Sequence, residues 1–201
     1  MNEIPKFEPL EDRIVLDGIA DVAIEGPATI ALGDQDVAFT LTFDNTSASD
    51  TGYQPFIDLV IPTNGADGFD GVTFDSASFL GNAITSTELV FDAMGEAVHP
   101  LAVDMAGDPI IVTGTPGDTL VVFELPYGSF SAGNPPIDVD VLLDFSILAD
   151  LTSPFDLSAR GGFSLGCDPL DNPAVDPSDI GAIDTFTVNQ ELFTLTKSND
   201  I

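Results

Sequence analysis

An all-β sandwich is the fold class this sequence predicts, and three observations predict it. Apolar and polar residues alternate at period two in several windows, whereas no window sustains a 3.6-residue apolar stripe. Turn signals recur between those windows: Asn64-Gly65, Asp67-Gly68, Asp70-Gly71, Pro116-Gly117-Asp118 and Asn134-Pro135-Pro136. The 18 Gly and 15 Pro suit many turns and leave little room for helices.

In chain order, residues 1–17 read as an extended leader or tail: they carry two of the four basic residues, two prolines and little alternation. The β pattern begins at Gly18. Val37, Phe39, Leu41 and Phe43 alternate with Ala38, Thr40 and Thr42, as a half-buried strand requires. Further strands are expected over 57–61, 72–74, 87–91, 110–113, 120–125, 156–164 and 185–196. The segment 87–98 is the best helix candidate, but Gly95 and its β-branched residues favour a hairpin with its turn near 92–95. The plainest strand is 137–147. Ile137, Val139, Val141, Leu143, Phe145 and Ile147 share one face, and Asp138, Asp140, Asp144 and Ser146 the other, with Leu142 the one apolar exception. One sandwich over 18–198 is expected, with two stacked lobes as the alternative. The last residues end on an apolar alternation followed by a polar stretch, which suits either a natural C-terminus or a linker to a following domain.

Charge narrows the function. The chain has 34 Asp and Glu against 4 Lys and Arg, a net charge of −30, yet 44% of it is hydrophobic. A disordered acidic tail lacks that apolar content, so this is a folded, self-repelling polyanion. It needs high salt or bound cations. Nucleic acid is not an expected partner, because phosphate binding needs clustered Lys and Arg and these four are scattered. Direct membrane insertion is not expected either, since no segment approaches about 20 apolar residues. The single cysteine, Cys167, rules out an internal disulfide and reads as a buried small hydrophobe.

Ca²⁺ is the cofactor the acids suggest, because it is held by hard oxygen ligands in Asp-rich turns. The first candidate site is Asp67 and Asp70 around glycines, with Asp75 beyond. The competing reading is a pair of β-turns that use Asp and Gly for backbone reasons. The second is Asp168, Asp171, Asn172, Asp176 and Asp179, broken by three prolines that limit backbone motion. Those acids would repel unless Arg160 or Ca²⁺ sat among them; a solvated loop is the plainer reading. Asp138, Asp140 and Asp144 read as a solvated sheet face, with a cation-bridged contact as the alternative.

Catalysis finds no support in the sequence. His99 is the only histidine, and no nucleophile elbow, P-loop or dinucleotide fingerprint is present. Zero Trp and two Tyr leave few platforms for stacking sugars. An isopeptide cross-link would have to use Lys6 or Lys197, both near the ends. Asn45-Thr46-Ser47 matches the N-glycosylation triplet, which is common by chance.

Two stretches carry a family resemblance. Phe7-Glu-Pro-Leu-Glu-Asp-Arg-Ile-Val-Leu-Asp-Gly18 resembles the Leu-Glu-Pro-Arg-x-Leu-Leu type motif at the N-termini of very large bacterial surface and adhesin-like proteins. It departs from that motif at Asp12, where Pro is usual, and at Ile14-Val15-Leu16, which replaces a leucine pair. Residues 40–62 (TLTFDNTSASDTGYQPFIDLVIP) resemble the opening of Ig-like repeat modules often called DUF11 domains: a strand, an Asn-Thr turn, a tyrosine-containing link and an apolar strand ending in Pro. Residues 119–136 and 160–177 are similar to later parts of an extended version, and Leu195-Thr-Leu-Thr-Lys-Ser198 to a joint between modules. The resemblance implies an Ig-like β-sandwich with long acidic loops, in an extracellular, bacterial cell-surface setting. It carries over no catalytic residues.

The expectation is therefore a non-enzymatic structural or adhesive module of a large secreted surface protein, stiffened by Ca²⁺. Its partners would be neighbouring domains, copies of itself or a surface ligand. The alternative is a self-assembling subunit of a surface layer or filament, joined by Ca²⁺ or strand pairing. A third reading is a halophilic protein whose acids only hold water and salt.

Overall fold

The structure is a computed structural model that describes residues 18–64, 68–104, 106–150, 154–165 and 178–191. The leader 1–17, most of the 168–179 cluster and the C-terminal joint lie outside the described residues. The described elements are all strands: β1 Ala20–Glu25, β2 Thr29–Ile30, β3 Val37–Asn45, β4 Thr51–Ile61, β5 Val72–Phe79, β6 Asn82–Ala83, β7 Thr85–Val90, β8 Glu96–Val103, β9 Pro109–Thr113, β10 Thr119–Glu124, β11 Ser129–Ser131, β12 Ile137–Phe145, β13 Phe155–Leu165, β14 Asp179–Ile180 and β15 Asp184–Gln190.

Two large sheets form an Ig-like β-sandwich. One has the order β1-β3-β12-β5-β6; the other runs β2-β15-β13-β4-β10-β7, with β11 beside β4 and β14 beside β13. The chain crosses between sheets rather than building each in turn: β3 and β12 pair in the first, while β4 pairs with β10 and β13 in the second. Both halves of the sequence thus share both sheets.

Period two places the core. On β12, Val139, Val141, Leu143 and Phe145 are buried, while Asp138 and Asp140 point to solvent. The strand stops at Phe145, so Ile147 lies 74% exposed instead of continuing the inner face. Asp138 accepts the Thr42 hydroxyl across the strand pair at 2.7 Å. Phe43 sits at the centre of the inter-sheet core, edge-on to Phe130 and Phe163 at centroid distances of 5.3 and 5.6 Å.

A third layer covers the outer face of the larger sheet. β8 and β9 form a separate two-stranded ribbon. Beneath it lies a second core of Phe56, Phe91, Ala97, Ala102, Val112, Leu120 and Val122. On β10, Val121 and Phe123 face the first core and Leu120 and Val122 the second, so the strand is apolar on both faces.

The expected hairpin around 87–98 has its turn where predicted but not its pairing. β7 pairs with β10, and β8 with β9, so the turn at Asp92–Gly95 carries the chain out of the sheet into the covering ribbon. That turn has a twin at the other end of β8. Asp92 Oδ1 accepts the N–H groups of Met94 (2.8 Å) and Glu96 (3.0 Å), and Asp104 Oδ1 those of Ala106 (2.8 Å) and Asp108 (3.0 Å). Each turn closes on a glycine with positive φ, Gly95 at 76° and Gly107 at 81°, where a side chain would be strained. Asp predominates over Glu at such positions because its short side chain reaches the backbone just ahead. Replacing Asp92 by Ala is expected to cost about 1 kcal/mol, with Asn retaining most of the stability; urea titration of both variants checks this.

Candidate functional site

Two polar constellations stand out, one at a loop end of the sandwich and one inside it.

The loop-end constellation contains one predicted residue, Asp70, and one that sequence reasoning missed, Asp118. Asp70 closes the link between β4 and β5, which is pinned by hydrogen bonds from Gly71 N to Thr63 O (3.0 Å) and Val72 N to Pro62 O (3.1 Å). Asp118 ends the turn between β9 and β10. That turn is held by Gly117 N to Phe91 O and Phe91 N to Asp118 O, both 3.0 Å. Gly117 has φ 92°, and a Cβ there would stand 2.0 Å from the Asn64 carbonyl oxygen. Only glycine lets the two loops approach this closely. Thr63 Oγ1 donates to Thr119 Oγ1 at 2.9 Å and ties them again.

Asp118 is only 8% exposed, and its Oδ1 has no hydrogen-bond partner. Burial and the nearby Asp70 charge hold its pKa above the usual carboxylate range, against the lowering effect of hydrogen bonds from Asn64, Thr115 and Thr63. The folded state therefore holds this proton more tightly than the unfolded chain does. The associated stability is fully present below the ordinary carboxylate pKa and is lost as pH rises through the raised value. In EDTA, the melting temperature of wild type relative to Asp118→Asn is expected to fall across that window, as melts at stepped pH would show.

The other predicted ligands are placed differently. Asp75 lies exposed on β5, where the register against β12 shifts and leaves it without a cross-strand partner. It stands three residues past Val72, roughly 10 Å along the strand. Asp179 is half-buried on β14, paired with Phe163 of β13. Asp67, Asp168, Asp171, Asn172 and Asp176 lie outside the described residues. Among the described residues, no three His, Cys, Asp or Glu side chains converge as a metal cage.

The inner constellation is built from parity. Phe56 and Asp58 point to the outer face of the larger sheet, under the β8–β9 ribbon, and Arg160 is the cross-strand partner of Asp58. His99 descends from β8 with its side chain fully buried, its ring 4.8 Å from that of Phe56. Its Nδ1 accepts the N–H groups of Leu101 (3.1 Å) and Ala102 (2.7 Å), so that nitrogen carries no proton. Nε2 carries it and donates to Asp58 Oδ1 at 2.9 Å. Arg160 Nε donates to the other oxygen, Oδ2, at 2.9 Å. Arg160, considered above as a neutraliser of the 168–179 acids, makes an ion pair with Asp58; most of those acids lie outside the described residues.

Both His99 nitrogens are thus committed to holding the ribbon and its irregular register between Val98 and Val103. Beside this network lies a cleft of about 150 Å³, walled by Val60, Ile111, Leu120 and Ile183 with Asp58 and Arg160 at its polar side. It is smaller than the roughly 300 Å³ at which ligand pockets usually begin. Asn45, the acceptor of the glycosylation triplet, is 2% exposed; its amide donates to Asp50 O and Phe130 O and accepts from Ile19 N and Ser47 N. In the folded chain it is a structural strut. No helix among the described residues is long and apolar enough to cross a membrane.

No family model matches the chain, and no curated protein matches it. The solved structures similar to it in fold include the following two. One is AvmM, which catalyzes macrocyclization in alchivemycin A biosynthesis: 12% identity, 90% of this chain and 92% of that one, TM-score 0.46. The other is a cohesin module from the family 33 glycoside hydrolase of Clostridium perfringens ATCC13124: 10% identity, 86% and 97% coverage, TM-score 0.45. At these identities the likeness concerns fold and assigns no activity.

Proposed function

We propose that this chain is a structural or adhesive module of a large secreted bacterial cell-surface protein, stiffened by Ca²⁺. One observation carries the reading. Among the described residues Arg160 is the only Lys or Arg, and its Nε is committed to the buried Asp58. The acids on the sandwich surface therefore have no Lys or Arg of the described chain to neutralise them, and an external cation must take that part. The resemblance of 40–62 to Ig-like repeat modules and of 7–18 to a surface-protein motif supports the extracellular setting. Antibody raised against the chain is expected to label intact source cells; label seen only after lysis overturns the surface assignment.

A second reading, a self-assembling surface-layer or filament subunit, draws on one feature. Among the described residues β7 ends its sheet with β10 as its one hydrogen-bonded strand neighbour, and Val90 at its tip is 65% exposed. Such an edge can accept a strand from another copy. Light scattering with and without Ca²⁺ separates the two: a stalk module stays monomeric, and a subunit grows.

A further inference from the structure

We propose that Asp70 and Asp118 hold a Ca²⁺ ion between the β4–β5 link and the β9–β10 turn. The inference deepens the reading of the chain as a cation-stiffened module and rests on it for its biological setting. Two observations from different elements meet here. Asp118 is more than nine-tenths buried, with Oδ1 lacking any hydrogen-bond donor, although the other atoms of its turn are firmly tied. The two loops are in direct contact, Gly117 against the Asn64 carbonyl and Thr63 against Thr119, and the charge of the Asp70 carboxylate acts on Asp118. A buried carboxylate oxygen without a donor, near a like charge, is costly when both are ionised. A divalent cation bound by both removes each part of that cost.

The donor chemistry selects the ion. Both side chains offer only hard oxygens, which suit Ca²⁺ or Mg²⁺ and not the softer transition metals. Irregular loops suit the variable geometry of Ca²⁺ better than the near-ideal octahedron of Mg²⁺. With two carboxylates, backbone carbonyls and water must complete the shell. The affinity expected is that of weak extracellular sites, with Kd of about 10⁻⁴ to 10⁻³ M. The site would act as a clip, joining the loop that leaves β4 to the turn that enters β10, and so stiffening one end of the sandwich.

The test compares wild type, Asp118→Asn, Asp70→Asn and the exposed-face control Asp138→Asn. Each is melted in EDTA, in CaCl₂, in MgCl₂ and in NaCl of matched ionic strength, with calorimetric titration of CaCl₂ in parallel. At ten times the Kd, Ca²⁺ is expected to raise the wild-type Tm by roughly 3–6 °C. Asp118→Asn, which keeps the side-chain oxygen that accepts hydrogen bonds but loses the charge, is expected to melt above wild type in EDTA and to gain nothing from Ca²⁺. Asp70→Asn loses the Ca²⁺ response as well, and serves if Asp118→Asn fails to fold; Asp138→Asn retains it. A Ca²⁺ shift surviving in Asp70→Asn or Asp118→Asn, or matched in wild type by NaCl, overturns the site. A Ca²⁺-specific response in a chain that never labels the cell surface leaves the site standing and removes the surface role.

Discussion

Replacing His99 by alanine is expected to destabilise the protein by about 3–5 kcal/mol and to lower Tm by roughly 10 °C. The size follows from what the ring does at three points at once. It is the donor to Asp58 Oδ1, the acceptor for two backbone N–H groups, and the packing neighbour of Phe56. Alanine leaves a buried carboxylate oxygen without its donor and two backbone donors without an acceptor, and opens a cavity between ribbon and sheet. Solvent cannot cheaply repair this, since the His99 and Asp58 side chains are 0% and 3% exposed. Gln offers a donor and an acceptor in one side chain and is expected to recover part of the loss. The loss should concentrate in the ribbon, so amide exchange of Glu96–Val103 and Pro109–Thr113 should accelerate before that of β12. Denaturant titration showing less than about 1 kcal/mol for His99→Ala would mean that the apolar contacts alone hold the ribbon.

How much of this was legible in the sequence depends on whether the determinant is local. The inner face of β12 was readable because alternation at period two is written into consecutive residues. So was the turn at Asp92–Gly95, whose Asp and Gly chemistry is complete within five positions. The partners of β7 and β8 were not, because strand pairing is decided by distant segments. β10 read as an apolar run, but nothing within 119–124 says that a ribbon covers its second face. Asp58 carries a readable signal: an acid in the apolar strand Ile57-Asp58-Leu59-Val60-Ile61 must find buried partners. Those partners lie 41 and 102 residues away, beyond any local pattern. Asp70 was visible as an Asp-Gly turn. Asp118 was seen only as turn punctuation, since its burial depends on Gly117 settling against the Asn64 carbonyl.

Phe163→Ala is expected to cost about 3–5 kcal/mol, and its neighbour Gly52 shows why the ring is more than apolar filling. A Cβ at position 52 would lie 2.2 Å from Phe163 Cγ, so the ring is seated directly on the glycine backbone of β4. The same arrangement recurs where Phe39 meets Gly26, Phe56 meets Gly162 and Phe91 meets Gly114. These contacts draw on a chain that carries 15 Phe and 18 Gly: the rings pack against backbone where no side chain intervenes. Gly52→Ala should therefore cost about 1–3 kcal/mol by overpacking, with the added methyl pressing on a ring already held edge-on by Phe43. The two substitutions must not add. Once Phe163 is alanine, a methyl at position 52 projects into the cavity and its penalty should vanish or reverse. A double-mutant cycle in urea should yield a coupling of at least about 1 kcal/mol. Additive losses would show that glycine at position 52 serves its own backbone and not the aromatic ring above it.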